Sequence, residues 1–161
     1  VGQGAVFKIY LPVCNDTLPL EDESDQELQG DPEEKGQGER ILLAEDDPEV
    51  NELASLILRD AGYVVFSAKT AAQAVEIFEQ EGGRFDLLFS DVILPDQTGI
   101  QLADTLLEKK AGLPVIMSSG YSDEHVHLDI IKGKGFSYLR KPFQITSLLR
   151  AVRKGLEEIR G

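Results

Sequence analysis

Between Arg40 and Arg160 the chain repeats one pattern five times: a short apolar run with no polar alternation, followed by a longer stretch of helical periodicity. The runs ILLAE, YVVFSA, FDLLFS, LPVIMSS and GFSYLR read as strands, most of them buried on both faces. The stretches DDPEVNELASLILRDAG, TAAQAVEIFEQEGG, TGIQLADTLLEKKAG, SDEHVHLDIIKGK and FQITSLLRAVRKGLEEIR read as helices. In the first of these, Val50, Leu53, Ala54, Ile57 and Leu58 fall on one face and Gly62 closes the helix, while Thr70 is the predicted N-cap of the second. Strict strand–helix alternation requires right-handed crossovers. The prediction is therefore an α/β domain, a doubly wound five-stranded parallel sheet with helices on both faces.

Open parallel sheets bind ligands beyond the carboxyl ends of their strands, at the switch in strand order. The residues predicted there are Glu45, Asp46 and Asp47 after the first strand, Asp91 after the third, Ser118 and Ser119 after the fourth, and Lys141-Pro142 after the fifth. Acid, hydroxyl and ammonium groups thus meet at one edge. Asp91, in DLLFSDVILP, is an acid at the mouth of a buried strand, and beside Glu45 and Asp46 it is costly to hold until a cation neutralises the cluster. Phosphoryl transfer needs an in-line nucleophile and positive charge around the equatorial oxygens. Asp91 is the candidate nucleophile, Lys141 the point charge and Ser119 the hydroxyl donor. Asp47 reads as a helix-start charge before Pro48.

These residues, in this order and each at a predicted strand end, resemble the receiver domain of two-component response regulators over essentially all of Arg40–Arg160. The acidic pair is matched by Glu45-Asp46, the phosphoacceptor by Asp91, the hydroxyl residue by Ser119 ahead of Gly120, and the Lys-Pro by Lys141-Pro142. Tyr138 stands in the place of the aromatic residue three positions before the lysine. The resemblance implies a flavodoxin-like strand order 2-1-3-4-5 and phosphorylation of Asp91 by a phospho-His with Mg²⁺. It implies Asp46, Asp91 and the Ile93 carbonyl as direct metal ligands and Glu45 as a ligand through water. It also implies a cis Lys141-Pro142 bond and a switch in which Ser119 and Tyr138 relay the phosphorylated state to a protein-binding face. The implied partners are a histidine kinase core or a His-phosphotransfer protein.

The remainder of the chain differs in composition. Residues 1–38 carry nine acidic and two basic residues, a net of -7 out of -13 for the 161 residues, so over half of the net charge lies in under a quarter of the length. NDTLPLEDESDQELQGDPEEKGQGE has only scattered leucines to bury and reads as a flexible linker. Ahead of it AVFKIYLPV reads as one strand ending at Pro12. With its preceding glycines, GQGAVFKIYLP resembles the last strand of the ATP-binding domain of a sensor histidine kinase. The expected organisation is a strand remnant over 1–13, an acidic linker over 14–38 and a receiver over 39–161, at the C-terminus of a hybrid kinase. The other nucleotide motifs of such a kinase and its acceptor His are not in the sequence, so the chain is expected to react only at Asp91 and not to phosphorylate itself from ATP.

The acidic balance argues against a nucleic-acid surface and against anionic membranes. No apolar run approaches the ~20 residues of a membrane span, and a cytoplasmic setting is expected. Cys14 is a lone thiol, His125 and His127 are too closely spaced to share a helical face, and Met117 reads as core. Two other readings compete. An Asp-nucleophile phosphohydrolase would need an Asp-x-Asp pair, whereas Asp91 is followed by Val92 and Ile93; a pseudo-receiver used only for protein binding would have lost the acceptor or the lysine, and both are here.

Overall fold

The computed structural model describes residues 35–120 and 124–157, the side chains of 124–127 excepted. The strand expected over residues 1–13, most of the linker expected over 14–38, Cys14 and the side chains of His125 and His127 lie outside the described residues. The elements alternate without exception: β1 (Arg40–Ala44), α1 (Pro48–Asp60), β2 (Val64–Ala68), α2 (Ala71–Gln80), β3 (Leu87–Asp91), α3 (Gly99–Lys109), β4 (Val115–Ser119), α4 (Glu124–Gly133), β5 (Ser137–Arg140) and α5 (Ile145–Glu157). The strands form one sheet in the order β2-β1-β3-β4-β5, every neighbouring pair parallel. No helix among the described residues is long and apolar enough to cross a membrane.

Successive strand residues feed opposite faces, because the side-chain period of a strand is two. Ile41, Leu43, Leu87, Phe89 and Ile116 pack with Leu58 of α1 and Leu148, Val152 and Leu156 of α5. Leu42, Ala44, Leu88 and Met117 point the other way, onto Ala74 and Phe78 of α2, Leu102 and Leu106 of α3, and Ile131 of α4. Both layers are closed by side chains with no solvent contact, each large one contributing about 1.5–3 kcal/mol through burial. The three inner strands β1, β3 and β4 are buried along nearly their whole length, which explains their unbroken apolar runs, whereas the edge strands β2 and β5 are only partly covered.

Helix α1 departs from the face read in the sequence. Its buried residues are Asn51, Ala54, Ser55 and Leu58, while Leu53 is 54% exposed and Val50 and Ile57 are half-buried. The helix is rotated so that the Asn51 amide can donate to Glu45 O at 2.8 Å and Ala68 O at 3.4 Å, satisfying carbonyls where two strands end. A polar residue is thus buried because it has partners there. The caps follow the sequence more closely. Thr70 accepts from Gln73 N, and Gly62 turns the chain after α1 with φ +95°.

At the opposite edge of the sheet, residues just ahead of β1 lie along the α1–β2 turn. Gly36 N donates to Ala61 O at 2.7 Å and Gly38 N to Gly62 O at 3.1 Å. A Cβ on Gly36 would lie 2.6 Å from the Tyr63 ring, so only glycine fits that approach.

Candidate functional site

Two of the predicted site residues follow strand ends by a single step. Glu45 N continues the β1–β2 ladder to Ala68 O at 3.0 Å, and Lys141 N continues the β4–β5 ladder to Ser119 O at 2.8 Å. Asp91, Ser118 and Ser119 are the last residues of their strands instead of the first beyond them, in register as Asp91↔Ser118 and Ser119↔Arg140. The sheet therefore sets these groups on rigid backbone, and only Asp46 and the residues beyond Asp91 belong to loops.

Glu45, Asp46 and Asp91 each bring a carboxylate oxygen within 4.8 Å of the others. Their surroundings differ. Glu45 is buried, Asp91 is half-buried and Asp46 is exposed, as expected when the chain alternates sides at a strand end. Lys141 Nζ reaches into the cluster, 2.5 Å from Asp91 Oδ2 and 2.6 Å from Glu45 Oε2. The contact with Asp91 is a hydrogen bond, whereas Glu45 Oε2 lies at ion-pair distance but outside hydrogen-bonding geometry and has no other partner. Burial pushes the Glu45 carboxyl above its ordinary value of 4.5, although the Lys141 ammonium beside it works in the other direction. For Lys141, burial acts against the ammonium, but the hydrogen bond it donates to Asp91 and the negative charges of Asp91 and Glu45 outweigh it and hold the pKa above the ordinary 10.5.

Asp91 is held from its own loop as well. Ile93 N donates to Asp91 Oδ1 at 3.0 Å, and Val92 N to Ser118 O at 2.9 Å. Gly99, the first residue of α3, sits against the backbone of Asp91, where a Cβ would stand 2.0 Å from Asp91 O and 2.6 Å from Ser90 Oγ. The sequence reading passed over this glycine, though a Gly following Thr98 at a helix start is a visible signal of close approach. It also passed over Asn51 and Asp96, whose partners lie in other segments of the chain. Asp47 is the N-cap of α1, accepting from Glu49 N and Val50 N.

Ser119 and Tyr138 come together as neighbours on β4 and β5. The Ser119 Oγ and Tyr138 hydroxyl are 3.1 Å apart, and Ser119 is buried while the Tyr ring is half-buried against the α4 side of the sheet. The Lys141–Pro142 peptide is cis. Of the seven residues assigned to the site, five form one constellation around Asp91: Glu45, Asp46, Asp91, Ile93 and Lys141. Ser119 adjoins it on β4 and carries Tyr138 with it. Chemically this is a half-buried carboxylate with a fixed ammonium, an all-oxygen donor set and a buried hydroxyl on the neighbouring strand.

Comparison with known proteins gives a consistent result. The family model described as the response regulator receiver domain matches residues 41–153. Sensor kinase CckA of Brucella abortus (strain 2308) is 29% identical over 162 residues, covering 98% of this chain, which spans only 17% of that kinase's length. Response regulator receiver protein CpdR of the same organism is 32% identical over 117 residues, covering 73% of this chain and 96% of CpdR. The crystal structure of the receiver domain from hybrid histidine kinase CckA is 32% identical and aligns with a TM-score of 0.61, covering 73% of this chain and 98% of that one.

Proposed function

This chain belongs to the response regulator receiver family, and we propose that within a two-component relay it accepts a phosphoryl group from a phospho-His onto Asp91 with Mg²⁺. The observation that carries the reading is the Lys141 ammonium held 2.5 Å from Asp91 Oδ2 inside the cluster of Glu45, Asp46 and Asp91. An isolated capping aspartate needs neither the lysine nor the second and third acid.

The donor set suits a hard divalent cation. It is all oxygen, one member is exposed to accept an incoming hydrated ion, and the buried Glu45 Oε2 lacks a hydrogen-bond donor. Asp46, Asp91 and the Ile93 carbonyl would hold Mg²⁺ directly and Glu45 through water. Bound there, Mg²⁺ supplies charge neutralisation for the acids and for the equatorial phosphoryl oxygens. An Asp91 carboxylate oxygen attacks phosphorus in line and the new O–P bond forms. The P–N bond to the donor imidazole breaks, its electron pair remaining on the ring nitrogen, and the product is an acyl phosphate. Lys141 passes from the Asp91 carboxylate to a phosphoryl oxygen. Ser119 donates to another, and in doing so gives up its 3.1 Å contact with Tyr138, freeing the ring to turn and reshape the face of α4, β5 and α5.

The wider context is part of the same proposal. An alignment with a sensor kinase over 98% of the chain supports residues 1–13 as the end of a kinase ATP-binding domain, 14–38 as a linker and 39–161 as the receiver of a hybrid kinase. The partners are then the histidine kinase core or a His-phosphotransfer protein, in the cytoplasm. The test is incubation with acetyl phosphate and mass measurement. One phosphoryl group should be gained only with Mg²⁺ or Mn²⁺ present, and Asp91→Asn should gain none; labelling of the Asn variant, or labelling indifferent to chelator, would overturn the reading.

A further inference from the structure

Asp96 has no part in the roles above, yet its carboxylate leaves its own loop. Oδ1 accepts from the Ala71 amide at 2.9 Å and Oδ2 from the Ala72 amide at 2.8 Å. Those amides open α2, which already has a local cap in Thr70. Capping side chains ordinarily serve amides two or three residues downstream, as Asp47, Thr70 and Thr98 do here. Asp96 instead engages an element 24 and 25 residues earlier with both oxygens. The amides also hold its carboxyl below the ordinary 3.8, Ala72 first and Ala71 next, so it is charged whenever the protein is near neutrality.

The loop that carries Asp96 is a narrow hairpin. Ile93 bridges Thr98, Leu94 N donates to Gln97 O at 3.2 Å, and Gly99 N donates to Val92 O at 2.8 Å. Asp96 is at its tip, with Asp91 and Ile93 at its base. On the far side, α2 follows β2, whose last residue Ala68 accepts from Glu45 N at 3.0 Å and from the Asn51 amide at 3.4 Å. A line of hydrogen bonds therefore joins the loop bearing Glu45 and Asp46, the β2–α2 turn, and the loop bearing Asp91 and Ile93.

We propose that Asp96 is a positioning residue, a clamp whose two hydrogen bonds to the first amides of α2 set the Ile93 carbonyl and Asp91 at the right distance from Glu45 and Asp46. The proposal rests on the receiver reading for the identity of the ligands. Without the clamp the hairpin can swing away from α2, and the donor atoms spread apart although every one of them is still present. Partners outside the first shell of a metal site commonly change affinity in this way.

The test is Mn²⁺ affinity of the unphosphorylated protein, read by electron paramagnetic resonance with no phosphodonor. Asp96→Ala should weaken binding about 10-fold. Asp96→Asn, which keeps one acceptor oxygen, should fall between it and the wild type. Thr70→Ala removes a cap from the same helix without touching the acceptor loop, and should lower the melting temperature comparably while leaving Mn²⁺ affinity unchanged. Equal Mn²⁺ affinity in Asp96→Ala and wild type, or an equal loss in Thr70→Ala, would overturn the clamp. Failure of the receiver reading shows separately, as a wild type that binds Mn²⁺ but takes no phosphoryl group on Asp91.

Discussion

At the amino end of the sheet Arg40 distributes its donors over the Arg84 carbonyl at 2.5 Å and Glu81 Oε2 at 2.6 Å, while its guanidinium lies 4.4 Å from the Phe66 ring centroid. Its own amide donates to Asp86 Oδ2 at 2.7 Å. At the carboxyl end, some five residues along the same strands, one ammonium from Lys141 is shared by Glu45 and Asp91 with Asp46 beside them. The first arrangement pairs the Arg40 guanidinium with one carboxylate, that of Glu81, and gives the Asp86 carboxylate a backbone donor. The second leaves negative charge in excess at a place rigidly set by strands, which favours an added cation. A cation among acids makes a fastening at one end and an acid-rich cluster at the other, and the difference lies in stoichiometry.

The comparison breaks most readily at Lys141. Lys141→Ala should cut the rate of labelling from acetyl phosphate about 100-fold, the scale for losing one preorganised charge partner of a transition state. A loss no larger than that of a surface lysine such as Lys109→Ala would show that the shared ammonium is only structural.

A subtler measurement concerns Glu45, whose carboxyl is raised above 4.5 by burial. A raised carboxyl favours the cation-free fold below 4.5, and that contribution is lost as pH rises through the higher folded value. Cation binding must expel the same proton, so Mn²⁺ affinity should climb from pH 4.5 upward, by at most about 10-fold per pH unit, and level off once Glu45 is ionised. Glu45→Gln should flatten the climb. A wild-type affinity independent of pH over that window would remove Glu45 from the cation's surroundings.

The smallest effect is expected at the opposite end. Arg40→Ala should cost about 1 kcal/mol of stability, since its pairs are partly exposed, and should leave labelling of Asp91 unchanged. Slower labelling in that variant would mean that the two ends are mechanically linked.

Much of this was legible in the chain itself. Buried strands announce themselves by unbroken apolar runs, and the alternation with helices allows few topologies, so the acids, the serine and the lysine could be assigned to one edge before any coordinates. What stayed hidden was lateral. Asn51 drew no reading at all, because the carbonyls of Glu45 and Ala68 that it serves belong to other segments. Asp96 was passed over too, since its partners lie 24 and 25 positions away. The unequal burial of Glu45 and Asp46 is likewise a matter of which side of β1 each leaves from. Periodicity reports how an element faces its layer; it carries little about which loop leans on which.

The seating of Gly36 and Gly38 on the α1–β2 turn fixes the point at which the chain enters the domain. That doorway is at the amino end of the sheet, and Asp91 is at the other. Five residues of strand separate them, about 17 Å. In a hybrid kinase of the kind proposed, a donor module tethered ahead of Lys35 is thus delivered to the back of the receiver. To present its phosphohistidine it must travel around the flank of the sheet on its leash, or leave that task to a donor carried by another polypeptide.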